Sequence, residues 1–124
     1  MKRIAILLAV CLVVGCKVAP TNPATLAPGA DNAFDQTTYQ ALMTVQASLL
    51  NLQATLLNPA TSAQTVSVLK PYFNQATTDY DIAVVAWKAY HTAAASNPSA
   101  STAQVQSALT KVQTDIQNTP KVTQ

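Results

Sequence analysis

From residue 34 to residue 119, apolar positions recur at alternating spacings of three and four, the pattern of helices that each bury one seam. The first such segment runs from about Phe34 to Leu57. Its seam is Leu42, Val45, Leu49, Leu52 and Leu56, and a second set, Tyr39, Met43, Leu50 and Leu57, lies about 100 degrees around the same helix. Two apolar flanks predict two packing neighbours. Asn58-Pro59 closes the segment, because a residue before proline disfavours helical geometry.

A capping-box spacing, Thr61 with Gln64, opens the second segment, whose seam is Val66, Leu69, Phe73, Ala76, Tyr80, Ala83, Trp87 and Tyr90. The phase survives Pro71. A break after Lys70 would not need to preserve it, so the pattern predicts one long helix kinked at Pro71. Ile82, Ala86, Ala89 and Ala93 add another apolar row, which makes this the central helix. After Ser96-Asn97-Pro98, Ser101 and Gln104 form another capping-box pair, and Val105, Leu109, Val112 and Ile116 give a single narrow stripe that ends before Thr119-Pro120. Short connections around Pro59 and Pro98 make consecutive helices antiparallel. The fold expected is therefore all-α: an up-down-up three-helix bundle with a long, kinked central helix, followed by a tail at 120–124.

Helix lengths carry a further expectation. At 1.5 Å per residue the first helix spans about 36 Å and the third, parallel to it, only about 25 Å. One end of the bundle is then left uncovered, near Leu50 and Leu57 of the first helix and Val66 and Leu69 of the second. An exposed apolar patch there would serve self-association or docking of a protein partner.

Upstream of the bundle, residues 17 to about 32 are rich in Pro, Ala, Thr and Asn, with Pro20, Pro23 and Pro28 and no apolar period. They read as a tether, able to span on the order of 20 Å. Before it, Lys2 and Arg3 precede an apolar run from Ile4 to Val14, too short to cross a bilayer, and the run ends in Leu12-Val13-Val14-Gly15-Cys16. These sixteen residues resemble the signal of bacterial lipoproteins. The resemblance implies that the Cys16 thiol accepts a diacylglyceryl group, that residues 1–15 are removed, and that Cys16 becomes the first residue. Cys11 would leave with the signal. Lys17 in place of Asp after the acceptor implies export to the outer membrane, with the domain facing the periplasm. No family is apparent for the chain after Cys16.

Cleavage would also alter the charge balance. The whole chain carries a formal charge of +2, but without Lys2 and Arg3 its five lysines face its five aspartates and the net charge is zero. No clustered basic surface remains for nucleic acid. With Cys11 removed and Cys16 lipidated, no thiol is left for a disulfide or a metal. The mature part has neither Glu nor Arg, so its polar surface is mostly Gln, Thr, Ser and Asn.

Chemistry-bearing motifs are scarce. His91, the single histidine, has Trp87, Lys88, Ala94 and Ala95 at helical neighbour positions, none a metal ligand, and reads as a structural residue at the seam edge. The only mature glycine, Gly29, lies in the tether, which leaves no phosphate cradle, and no G-x-S-x-G nucleophile motif occurs. Asp79 is the exception. By helical angle it projects between the Phe73/Ala76/Tyr80 seam and the Ile82/Ala86 row, where a carboxylate needs a tyrosine, a donor from another helix, or a wet groove, and where it could contact a ligand. Tyr72, Phe73, Tyr80, Trp87 and Tyr90 concentrate aromatics on the central helix and read as core.

The expectation is a non-enzymatic, cofactor-free, lipid-anchored bundle of the bacterial envelope, acting as a structural or protein-interaction module. The alternatives are a periplasmic binding module for an apolar ligand and the outer-membrane subunit of a phage lysis pair.

Overall fold

The computed structural model describes residues 29–121. The segment resembling a lipoprotein signal, Cys16, the expected tether up to residue 28 and the last three residues lie outside them. Among the described residues the chain forms three helices, α1 (Ala33–Leu57), α2 (Ala63–Ala94) and α3 (Ala103–Asn118), with no strand. This is the all-α three-helix bundle that the periodicity predicts. α2, at 32 residues, is twice the length of α3 at 16, and it packs against both other helices.

The core follows the seams. Leu42, Val45 and Leu49 of α1, Ala76, Tyr80, Ala83 and Val84 of α2, and Val112 of α3 form one buried cluster, with Phe73, Trp87, Leu109 and Ile116 packed on it. A smaller cluster of Tyr90, Ala94 and Val105 closes the end where α1 begins, and Phe34 meets Tyr90 edge to face at 5.0 Å between ring centroids. The small Ala76 and Ala83 are fully buried, which lets the helices approach closely around Tyr80.

α2 is continuous through Pro71, so the alternative of a break and restart does not hold. Proline leaves the Ser67 carbonyl without its usual partner, but both residues are solvent-exposed and water can serve that oxygen.

Two of the expected caps are corrected. α2 is capped by Ser62, whose side chain accepts from the Thr65 amide, and not by Thr61. Thr61 instead donates its hydroxyl to the Thr55 carbonyl at 2.7 Å, which ties the turn back to the last turn of α1. α3 begins after Thr102 with no side-chain cap, so Ser101 and Gln104 form no capping box; Ser101 Oγ only accepts from the Ala103 amide at 3.4 Å. At both sites adjacent hydroxyl residues compete, and the turn geometry decides between them.

The expected uncovered end is narrower than helix lengths imply. Leu57 is 64% exposed and Leu50 41%, and Val66 is half-buried, but Leu69 is only 2% exposed and turns into the fold. Leu69 is therefore no part of an open surface.

Candidate functional site

Two polar clusters interrupt the apolar packing. The first sits where the start of α1 meets the last turns of α2. Asn32 caps α1, its side chain accepting from the Asp35 amide at 2.9 Å, and its own amide group donates to the Tyr90 hydroxyl at 2.9 Å. Asp35, in the first turn, is 1% exposed and collects three donors. Trp87 Nε1 donates to Oδ1 at 2.7 Å, the Asp31 backbone amide donates to Oδ2 at 2.9 Å, and His91 Nδ1 lies 2.7 Å from Oδ2. His91 Nδ1 is also 3.3 Å from Asp31 Oδ2. Helix polarity favours this placement, an acid at the positive end of α1 and an imidazole at the negative end of α2. One ligand atom each from Asp31, Asp35 and His91 falls within 4.8 Å of the other two, close enough to hold a small cation.

Nothing in the local sequence around His91 announces this cluster. Its partners lie 56 and 60 positions upstream, and only the antiparallel pairing of α1 with α2 brings them together. The available signal is Asn32 followed three residues later by an acid, a helix-start pattern at the boundary of the Pro-rich stretch.

The second cluster lies between α2 and α3. Asp79 is 2% exposed. Of the alternatives open to it, the structure supplies a donor from another helix: Lys111 Nζ reaches Oδ1 at 2.9 Å, while Gln75 Nε2, one turn back on α2, donates to Oδ2 at 2.8 Å. Asp115, one turn beyond Lys111, shares the cluster. Burial pushes the Asp79 carboxyl up, but bonds from Gln75, Asp115 and Lys111, together with the lysine charge, outweigh it and hold Asp79 below the ordinary carboxylate range. Burial, and then the neighbouring Asp79, pushes Asp115 up to about 6. Asp115 Oδ2 is buried without a hydrogen-bond partner. A hydrogen bond between the Asp79 and Asp115 carboxyls needs a proton on one of them, and the raised Asp115 places it there, with Asp115 donating to the Asp79 carboxylate. Lys111 is raised by its bond to Asp79 and then by that carboxylate's charge.

This cluster forms one end of an open groove of about 480 Å³ between α2 and α3. Ile82, Val85, Ala86 and Ala89 line the α2 side, and Gln104, Ser107 and Ala108 the α3 side. Ile82 is 53% and Val85 68% exposed, so the groove presents apolar surface to solvent. Val68 and Tyr72, nearer the N-terminus of α2, are also exposed but lie outside the groove. Asp79 and Lys111 are thus the charged residues of a largely apolar groove lining. The remaining residues singled out from the sequence, Leu50, Leu57 and Val66, lie on α1 and at the start of α2 and join neither cluster; Cys16 lies outside the described residues. No family model, curated protein or solved structure matches this chain.

Proposed function

We propose that the chain is a lipid-anchored interaction module of the bacterial envelope, held to the membrane through Cys16 and docking a partner protein with the outer face of α2. The observation that carries this reading is the exposed apolar wall that Ile82 and Val85 present in the α2–α3 groove. Large apolar side chains held in water along a groove mark a surface that a partner covers. Its shape suits an amphipathic helix, with apolar walls and a polar end supplied by Asp79 and Lys111. A net-neutral mature domain adds no long-range attraction to nucleic acid or to an anionic lipid surface, and recognition then rests on contact. Among the described residues no helix is long and apolar enough to cross a membrane, so anchoring falls to the lipid on Cys16 in this reading.

A second reading is favoured by one feature. The groove volume falls in the range of small-ligand sites, and its floor of alanines would admit an apolar molecule.

Site-specific photocrosslinking at Val85 in the intact envelope tests the first reading. A discrete protein adduct is expected, absent when the probe is moved to exposed Gln113 on the far part of α3 and lost on Ile82→Asp. Both Ile82 and Val85 are exposed, so the substitutions should change stability by no more than about 0.5 kcal/mol. An adduct at the mass of two copies of this chain would assign the surface to self-association. No adduct, with a small apolar molecule retained in native mass spectrometry, would move the function to ligand binding.

A further inference from the structure

We propose that Asp31, Asp35 and His91 form a mononuclear site for a divalent first-row transition metal ion such as Zn²⁺, with the remaining coordination open to solvent. Charge is the first argument. Among the described residues, His91 is the only cationic side chain within ion-pair distance of either carboxylate. One imidazole supplies at most a single positive charge against two carboxylates, one of them 1% exposed, whereas a divalent ion balances both.

Valence is the second argument. Two carboxylate oxygens converge on one ring nitrogen, Asp35 Oδ2 at 2.7 Å and Asp31 Oδ2 at 3.3 Å. A single Nδ1 proton serves one of them well and the other poorly. A metal placed among the three atoms is bonded by all of them. Tetrahedral bonds of about 2.0–2.2 Å put ligand atoms roughly 3.3–3.6 Å apart, so the Asp31–His91 spacing already fits and the Asp35–His91 spacing needs to open by about 0.6–0.9 Å.

The surroundings hold the ligands in place. Trp87 Nε1 holds Asp35 Oδ1, the Asp31 amide takes one lone pair of Oδ2 and leaves its other facing His91, and the Asn32 cap with its bond to Tyr90 fixes the backbone that carries Asp31. Such outer bonds orient metal ligands elsewhere. The imidazole selects against Mg²⁺ and Ca²⁺, which prefer an all-oxygen set. Binding moves the His91 proton from Nδ1 to Nε2 if the ring is neutral, or releases it to solvent if the ring is charged. Because Asp31 is the last residue before the α1 cap, the metal would staple the end of the tether to the last turns of α2. This inference stands independently of the docking surface.

The test is a Zn²⁺ titration of the full chain, with Cys11→Ser and Cys16→Ser to remove competing thiols and no histidine tag, followed by ¹⁵N NMR of the imidazole. As the single histidine, His91 gives an unambiguous signal. Saturable movement of the Nδ1 resonance is expected, with no response to Mg²⁺, together with a metal-dependent rise in melting temperature. Asp31→Ala should weaken binding by roughly tenfold or more, at least the penalty seen for losing an outer-shell partner. Asp31 is exposed and its loss leaves Asp35, Trp87 and His91 bonded, so the variant keeps its fold, as circular dichroism would check. An unmoved Nδ1 signal at millimolar Zn²⁺, or an affinity unchanged by Asp31→Ala, overturns the proposal.

Discussion

Replacing Asp115 by Asn should make the protein more stable at neutral pH and flatten its pH dependence. The folded chain keeps the Asp115 proton up to about pH 6, because its carboxyl is buried beside the Asp79 carboxylate, whereas the unfolded chain releases it near 3.8. Between those values the folded state binds more protons, so the contribution of Asp115 is fully present below pH 3.8 and is lost as pH rises through about 6. Asp79 acts in the opposite sense. Its folded value is depressed, so its contribution is present above 3.8 and is lost as pH falls through the lower folded value. Together they place the optimum of this cluster near pH 4, with stability falling from there as pH rises to about 6. A shift of roughly two units corresponds to at most about 3 kcal/mol, and partial solvent access at Asp115 reduces this to roughly 1–2 kcal/mol at pH 7. Asn keeps an N–H donor for Asp79 and carries no charge. The assay is urea unfolding followed by Trp87 fluorescence at half-unit steps from pH 4.5 to 7.5, comparing the two proteins. The wild type should lose stability relative to Asp115→Asn as pH rises, and the variant should melt several degrees higher at pH 7, since 1 kcal/mol moves a domain of this size by about 4–8 °C. An unchanging difference across that range, or a variant less stable at pH 7, would refute the shared-proton arrangement.

Pro71→Ala should stabilise the fold by about 1–3 kcal/mol, because it restores a donor to the Ser67 carbonyl in a helix that already runs through this position; a lower melting temperature would contradict this. Asp35→Ala should cost about 2–4 kcal/mol in urea unfolding, since it strips the buried acceptor from Trp87 Nε1 and His91 Nδ1, and a cost under about 0.5 kcal/mol would remove Asp35 as the hub of its cluster. Lys111→Met should lower stability and raise the Asp79 titration midpoint toward the ordinary range, as read by ¹³C NMR of the carboxyl; an unmoved midpoint would show that Gln75 and Asp115 alone hold the charge.

Much of the bundle is legible in the sequence because burial here is periodic. The Leu42/Val45/Leu49 seam and the unbroken phase across Pro71 place the helices, and Pro59 and Pro98 place the connections. Caps are less legible. Thr61 and Ser62 are both competent hydroxyl residues, and only the path of the turn hands the cap to Ser62. Asp79 shows why one polar site can be anticipated: a carboxylate at an apolar helical angle demands a donor, although no pattern identifies Lys111, 32 positions away, as its source. The Asp31/Asp35/His91 cluster is invisible from His91, since its sequence neighbours on α2 offer no ligand and its partners belong to α1. Leu69 shows the limit of arguing from helix length, because a helix end can bury a side chain that a rigid-rod picture leaves open.

Anchoring is the premise on which the envelope function rests, and it is tested most directly by intact mass and membrane fractionation of the expressed chain beside Cys16→Ser. A product cleaved before Cys16, carrying acyl mass and found in the membrane fraction, is expected, with both features lost in the variant. An uncleaved or unacylated product, or the same fractionation for both chains, would contradict the lipid-anchored account.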